Sequence, residues 1–306
     1  MSFEQTIKSE PLILTECAIA ERLRRMDDIV LHPTLFNTPL IYDDVGSRRL
    51  RDIYGQYRSI ADSAKLSILL CAPTWRVDRQ RTIAGGMGLH LNRDAVQFMR
   101  NLQKSWHNPS SPVYVGGLIG PKNDCYSPKE ALSMQEAHSY HSWQSKELIQ
   151  AGADCIVCQT IPAVSEALGL AQLLGPMNVP YLISFVINRK AEVLDGTPLK
   201  NAIAAIDQKV SIPPTGYMVN CAFPSFVCAS KQEPRLFKRL IGIQANASSL
   251  DHSQLDGSES LQKDPLDSWG AQMLILNRTY GVKILGGCCG TDDSYLRYLV
   301  SCEQQL

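Results

Sequence analysis

The chain has 306 residues and balances 30 basic against 30 acidic side chains, so its formal charge at pH 7 is zero. That balance gives no broad attraction for nucleic acid or for an anionic membrane surface. Hydrophobic residues make up 44%, with 20 Gly and 17 Pro, which excludes a disordered chain and describes a packed globular one.

In chain order, Met1–Pro11 is polar and mixed in charge, neither a signal peptide nor an anchor, and no apolar run is long enough to span a bilayer. Eight short, near-continuously apolar runs follow, as expected of parallel strands buried on both faces. They are Leu12–Thr15, Ser67–Cys71, Val113–Leu118, Asp154–Cys158, Tyr181–Ile187, Tyr217–Asn220, Leu240–Gln244 and Val282–Leu285. Helical stripes lie between them: Leu50, Ile53, Tyr54, Tyr57, Ile60, Ala61 and Ala64, then Ala163, Ala167, Leu170, Ala171 and Leu174. Ser127-Pro128-Lys129-Glu130 reads as a cap, a first-turn proline and a capping-box glutamate, opening a helix that stops at Gly152. Thr291-Asp292-Asp293 caps a last helix and puts carboxylates at its positive end.

Eight strands alternating with helices predict an α/β chain folded as one (β/α)8 barrel over residues 1–306. The competing fold is an open doubly wound sheet, but no Gly-x-Gly-x-x-Gly follows the first strand. Residues 248–267, rich in Ser, Asp and Gln, read as a long surface loop between the last two strands.

Ten cysteines stand out: Cys17, Cys71, Cys125, Cys155, Cys158, Cys221, Cys228, Cys288, Cys289 and Cys302. A secreted disulfide scaffold is shorter and denser in cysteine, so the chain reads as cytoplasmic with reduced thiols. Barrel enzymes work at the C-terminal ends of their strands. The sixth strand ends Asn220-Cys221, and the eighth runs into Gly286-Gly287-Cys288-Cys289-Gly290-Thr291. Both ends lie on one rim, where three thiolates with an open fourth position describe a catalytic zinc site. Packing in a strand-to-helix turn accounts for Cys288 and Cys289 equally well. Spacing alone leaves both readings open.

These two strand ends resemble the zinc signature of the homocysteine S-methyltransferase family. Gly117-Leu118-Ile119-Gly120-Pro121, Ala151-Gly152-Ala153-Asp154, Thr160-Ile161-Pro162 with Glu166-Ala167, and Ser184-Phe185 with Asp195–Leu199 extend the likeness over nearly the whole chain. The resemblance implies a barrel whose Cys221, Cys288 and Cys289 bind Zn²⁺. It implies methyl transfer from a small onium donor, of the S-methylmethionine or S-adenosylmethionine type, to a zinc-bound thiolate of homocysteine or a related thiol. The expected partners are therefore a small-molecule thiol and a methyl donor, with neither nucleic acid nor membrane. Betaine-using relatives carry a long C-terminal arm and cobalamin-using ones further domains, so the resemblance favours a free sulfonium donor. The alternative is a non-catalytic zinc-binding barrel or a subunit of a larger methyl-transfer assembly.

The residues that would choose the substrates depart from the family pattern. Where the family has Asp-Gly-Gly after strand one, this chain has Glu16-Cys17-Ala18. Gln159 stands where the family has the glutamate that pairs with the homocysteine amine. After strand two, Thr74-Trp75-Arg76 ends in a cation where the family has a neutral residue. Trp75 suits a methylated cation through its ring face, whereas an inward Arg76 would repel one and clamp a carboxylate. Pointing outward, Arg76 is an ordinary surface arginine beside Arg79 and Arg81. With Asn220, these residues form the expected substrate pocket of a divergent member whose donor, acceptor or both differ from the standard pair. Cys155-x-x-Cys158 lies in a strand, where residues three apart face opposite sides. His138 and His141 have no ligand partner at helical spacing, and Arg22, Arg24 and Arg25 read as a solvated face. Oligomeric state leaves no mark in the sequence.

Overall fold

The computed structural model describes residues 1–106, 111–251, 254 and 261–303. Its strands are β1 Ile13–Thr15, β2 Ile68–Cys71, β3 Val113–Ile119, β4 Cys155–Ile161, β5 Tyr181–Val186, β6 Gly216–Ala222, β7 Leu240–Ala245 and β8 Ile284–Gly287. All pair in parallel and in chain order, and β8 returns to β1 through Ile284 and Leu285. The ring is closed, which removes the open doubly wound sheet and bears out the (β/α)8 barrel. Alternate residues of each strand therefore face the barrel interior or the surrounding helices.

The helices, in order, are α1 Phe3–Ser9, α2 Ala20–Arg24, α3 Asp44–Ala64, α4 Arg79–Ala84 and α5 Leu91–Ser105. They continue with α6 Met134–Gln150, α7 Val164–Leu174, α8 Leu199–Lys209, α9 Leu266–Arg278 and α10 Asp293–Glu303. None is long and apolar enough to cross a membrane. In α3 the expected stripe is buried from Leu50 to Ala61, Asp43 caps Gly46, and Lys65 in the left-handed region ends the helix. Cys155 joins the barrel-interior cluster while Cys158 joins the strand–helix layer, as residues three apart must.

The helix expected from Ser127 starts later. Pro128–Glu130 forms one 3-10 turn, Ala131 is extended, and Ser133 with Glu136 makes the capping box of α6. The helix ends at Gln150, and Gly152 takes a positive φ of 90° as the stop signal expected. The chain offers the same cap pattern twice, and the Leu132 N–H, bonded to the buried Glu166 carboxylate, favours the second. The expected loop over 248–267 lies partly outside the described residues, and α9 already begins at Leu266.

One end of the barrel is plugged. Phe3 and Ile7 of α1 complete the interior cluster of Ile13, Leu69, Tyr114, Ile241 and Ile284, near the N-terminal ends of the strands. Thr6 and Tyr114 hydroxyls meet at 2.5 Å, and Lys283 Nζ donates to the Ile7 carbonyl at 2.6 Å. The C-terminal ends are left as the face on which loops assemble a site. Phe3→Ala should lower stability by about 3 kcal/mol, read as a shifted urea midpoint, because it leaves a cavity under the plug. An unchanged midpoint would show that α1 does not close the barrel.

Candidate metal centre and its surroundings

Two strands on the C-terminal rim carry one residue too many. In β6, Asn220 pairs with Gln244 and Ala222 with Ala245, so Cys221 is extra and takes a φ of 52°. In β4, Cys158 pairs with Ile183 and Ile161 with Phe185, and Thr160 takes a φ of 66°. Positive φ is costly for a cysteine, and more so for a β-branched threonine. Such strain, of order 1–3 kcal/mol each, persists only where surrounding contacts over-determine it. Here a single side chain supplies them. The Asn220 oxygen accepts from the Thr160 N–H at 2.9 Å and the Ser184 hydroxyl at 2.7 Å, while its nitrogen donates to Cys221 Sγ at 3.3 Å.

The turn after β8 brings the other two sulfurs. The Cys288 N–H donates to the Ala245 carbonyl at 2.8 Å and the Cys289 N–H to Asn246 Oδ1 at 3.2 Å. The Gly290 N–H donates to Glu21, and the Thr291 hydroxyl caps the Cys288 carbonyl at 2.6 Å. Gly290 has a φ of 80°, which only glycine holds cheaply. Gly287 allows close packing, because a Cβ there would stand 2.2 Å from Thr291 Oγ1 and 2.8 Å from Cys17 Sγ.

The three Sγ atoms converge. Cys221 and Cys288 are 2.8 Å apart, Cys288 and Cys289 are 3.9 Å apart, and all three lie within 4.8 Å of one another. A disulfide needs about 2.05 Å, so these are free thiols. Tetrahedral zinc with bonds of about 2.3 Å separates its sulfurs by about 3.8 Å. The set fits that geometry once Cys221 and Cys288 part by roughly 1 Å. Contact with Cys221 is also the largest influence pushing the Cys288 thiol well above its ordinary range. Crowded thiols that resist ionising together are what a shared cation relieves.

The expected substrate residues divide. Gln159 Nε2 donates to Gln244 Oε1 at 2.5 Å, and Gln244 in turn donates to the Glu16 carbonyl at 3.2 Å. Trp75 Nε1 donates to Thr160 Oγ1 at 2.9 Å, which ties the ring to the bulge of β4. Asn220 is buried and spends its carboxamide on the bulges. Thr74 spends its hydroxyl on the Leu118 carbonyl at 2.7 Å and so ties the segment after β2 to β3. The buried Cys17 thiol packs toward Gly287 and Thr291, and the Ala18 N–H donates to Thr291 Oγ1 at 3.3 Å.

Several neighbours escaped the sequence reading. Gln244 sits near the end of strand seven, as Asn220 does in strand six, and that position was the signal for it. Tyr126 lies in the loop after β3, where no strand end marks it. Its phenol is held above its ordinary range, first by the Cys221 sulfur and then by burial, with Cys289 also contributing, which puts this loop beside the cluster. The loop is fastened at both ends by the buried Glu166 of α7. That carboxylate accepts from the Lys122 N–H at 3.1 Å and the Leu132 N–H at 3.3 Å, and meets His141 Nε2 at 3.0 Å. His141 thus has a partner after all, supplied by another helix.

A family model described as homocysteine S-methyltransferase matches residues 20–302. Homocysteine S-methyltransferase YbgG of Bacillus subtilis (strain 168) is 26% identical over 217 residues, covering 67% of this chain and 66% of that protein. The homocysteine S-methyltransferase of Escherichia coli (strain K12) is 24% identical over 214 residues, covering 64% and 66%. The matched segments thus span just under two thirds of those relatives' lengths. In fold, the chain is similar to the metallated form of the homocysteine methyltransferase MmuM from Escherichia coli. The TM-score is 0.76 at 18% identity, over 97% of this chain and 98% of that one.

Glu16 is the titratable group of this rim with a consequence for stability. Burial raises its pKa from 4.5 to about 7, against the Cys71 N–H, which donates to it at 3.1 Å. Between those values the native chain keeps a proton that the unfolded chain has lost. Stability is therefore intact at low pH and falls as pH rises towards 7, by about 3 kcal/mol in all. Glu16→Gln should raise the melting temperature at pH 8 and leave it unchanged at pH 4.5, measured by thermal denaturation. An equal shift at both pH values would contradict this assignment.

Proposed function

We infer that this chain, which belongs to the homocysteine S-methyltransferase family, transfers a methyl group from a small onium donor to homocysteine or a related thiol. The observation that carries this reading is the sulfur cluster. Cys221, Cys288 and Cys289 form a group of three at the C-terminal rim, and among the described residues no fourth ligand joins them. A structural zinc site is closed by four protein ligands, whereas a catalytic one keeps a position for substrate. The donor set, all soft thiolates, suits zinc. When bound, the ion supplies the Lewis acidity that lets an acceptor thiol, with an ordinary pKa of about 8.5, lose its proton at neutral pH.

The protein's own part is positioning. Asn220 orients Cys221, while Asn246 and Glu21 hold the Cys288–Cys289 turn. Tyr126, whose phenol feels the Cys221 and Cys289 sulfurs, would supply a hydrogen-bond donor beside the cluster. The acceptor sulfur's electron pair forms the new bond to the methyl carbon as the donor's carbon–sulfur bond breaks. That second electron pair stays on the donor, which leaves as a neutral thioether, and the thiol proton goes to solvent. Holding the two sulfurs in line is the main contribution the site makes to rate.

We assign the amino group of the acceptor to the edge of the barrel mouth where Gln159, Gln244 and Glu16 adjoin. Glu16 gives an ammonium a charged partner only when ionised, so acceptor affinity should rise as pH increases through about 7. A reducing, cytoplasmic setting belongs to this proposal, because a cluster oxidised to a disulfide cannot hold the ion.

Metal analysis with an activity assay tests this. The zinc-loaded protein should carry one ion per chain and methylate homocysteine from S-methylmethionine or S-adenosylmethionine. Cys221→Ser and Cys289→Ala should lose the ion and at least about a thousandfold in rate, with unchanged far-ultraviolet circular dichroism. A protein that binds the ion but methylates no thiol would leave the non-catalytic barrel standing.

A further inference from the structure

Arg76 is neither buried in an ion pair nor free in solvent. Its guanidinium carbon lies 4.8 Å from the centre of the Trp75 ring and 5.0 Å from that of Phe36. Those two rings meet edge to face, 5.7 Å apart. Its Nε is shut off from solvent and has no acceptor. Among the described residues, the guanidinium makes no hydrogen bond and no ion pair. Arg81 differs in every respect: it holds Asp78 at 2.7 Å and also reaches Tyr140 and the Lys122 carbonyl. The carboxylates whose charge bears on Arg76 are Asp124 and Asp78. Asp78 is taken by Arg81, and Asp124 accepts from the Tyr126 N–H at 3.0 Å.

The place of this unpaired charge matters. Trp75 bonds to Thr160, Thr160 to Asn220, and Asn220 to Cys221, so the stack is joined to the sulfur cluster by successive hydrogen bonds. Two consequences follow from the chemistry. One face of the Trp75 ring already carries a cation, so that face is not open to the onium charge of a donor. A planar fork of N–H donors, partly desolvated and without an acceptor, is shaped for a carboxylate.

We propose that Arg76 is the specificity-determining residue of this site, receiving the carboxylate of an amino-acid-type substrate and disfavouring counterparts of that substrate that lack one. The proposal rests on the S-methyltransferase reading for its context. The carboxylate can belong to the donor or to the thiol, and the test separates the two.

The zinc-loaded wild type would be compared with Arg76→Gln and Arg76→Lys. S-methylmethionine and trimethylsulfonium serve as donors, and homocysteine and 3-aminopropane-1-thiol as acceptors. In Arg76→Gln the KM of one carboxylate-bearing substrate should rise about 10- to 100-fold with little change in kcat, while its carboxylate-free counterpart is unaffected or improved. Arg76→Lys should restore part of the loss. A rise for S-methylmethionine assigns the carboxylate to the donor, and a rise for homocysteine assigns it to the acceptor. Neither KM moving by more than about twofold would overturn the proposal, as would a wild type that prefers the carboxylate-free partners. Calorimetric binding of S-methylmethionine and of homocysteine keeps the two readings apart. Binding that depends on Arg76 without turnover defeats the transferase reading alone, whereas normal turnover with binding indifferent to Arg76 defeats this one alone.

Discussion

The carboxamide of Asn220 is bonded on three sides, and the shape of the rim follows from how those bonds are shared. Its oxygen holds the bulged backbone of β4 through Thr160 and the end of β5 through Ser184, and its nitrogen points at the sulfur of Cys221. A buried amide with unmade hydrogen bonds would cost several kcal/mol, so each of the three contacts constrains the other two. That closed network offsets two residues held at positive φ, Thr160 and Cys221. Without the extra residue in β6, the alternation of the strand would send Asn220 and Cys221 to opposite faces in the ordinary way. With it, the amide stays between strands while the thiol turns to the rim.

The opposite side of the cluster is built by different means. Cys288 and Cys289 follow a strand whose glycines let β8 pack tightly on β1, and the turn's own N–H groups find acceptors on two segments, Ala245-Asn246 and Glu21. The wall above them, the loop carrying Tyr126, depends on the Glu166 carboxylate in the helix layer, which holds it at Lys122 and Leu132. The sulfur positions are therefore set by backbone pairing, whereas the loop carrying Tyr126 is tied down from behind by a helix-layer carboxylate. Under the proposed function, the same arrangement of sulfurs can persist while residues such as Arg76 and Gln159 vary.

Much of this was legible in the residues. The strands announced themselves as short apolar runs because both faces of a closed parallel sheet are buried. The cysteine trio could be placed on one rim because each cysteine lies at a strand's end. The bulges were not legible: nothing about Cys158-Gln159-Thr160-Ile161 or Asn220-Cys221-Ala222 marks which residue is extra, since pairing decides it. The start of α6 was misplaced because Ser127…Glu130 and Ser133…Glu136 carry the same cap pattern, and a tertiary contact chooses between them. Cys17, which looked like an intrusion where a glycine was expected, has its room made by Gly287 on the neighbouring strand. The orientation of Arg76 turned on two rings 40 and 1 residues away in the chain, Phe36 and Trp75, and only one of them is a sequence neighbour.

In the proposed function, Cys221, Cys288 and Cys289 hold one ion at which a thiol substrate is presented for methylation. X-ray absorption at the zinc edge of the metal-loaded protein, recorded with and without homocysteine, tests it most directly. The zinc should show three cysteine sulfurs as neighbours and gain one more sulfur when homocysteine is added. A shell of nitrogen and oxygen, or a four-sulfur shell that homocysteine leaves unchanged, would contradict it.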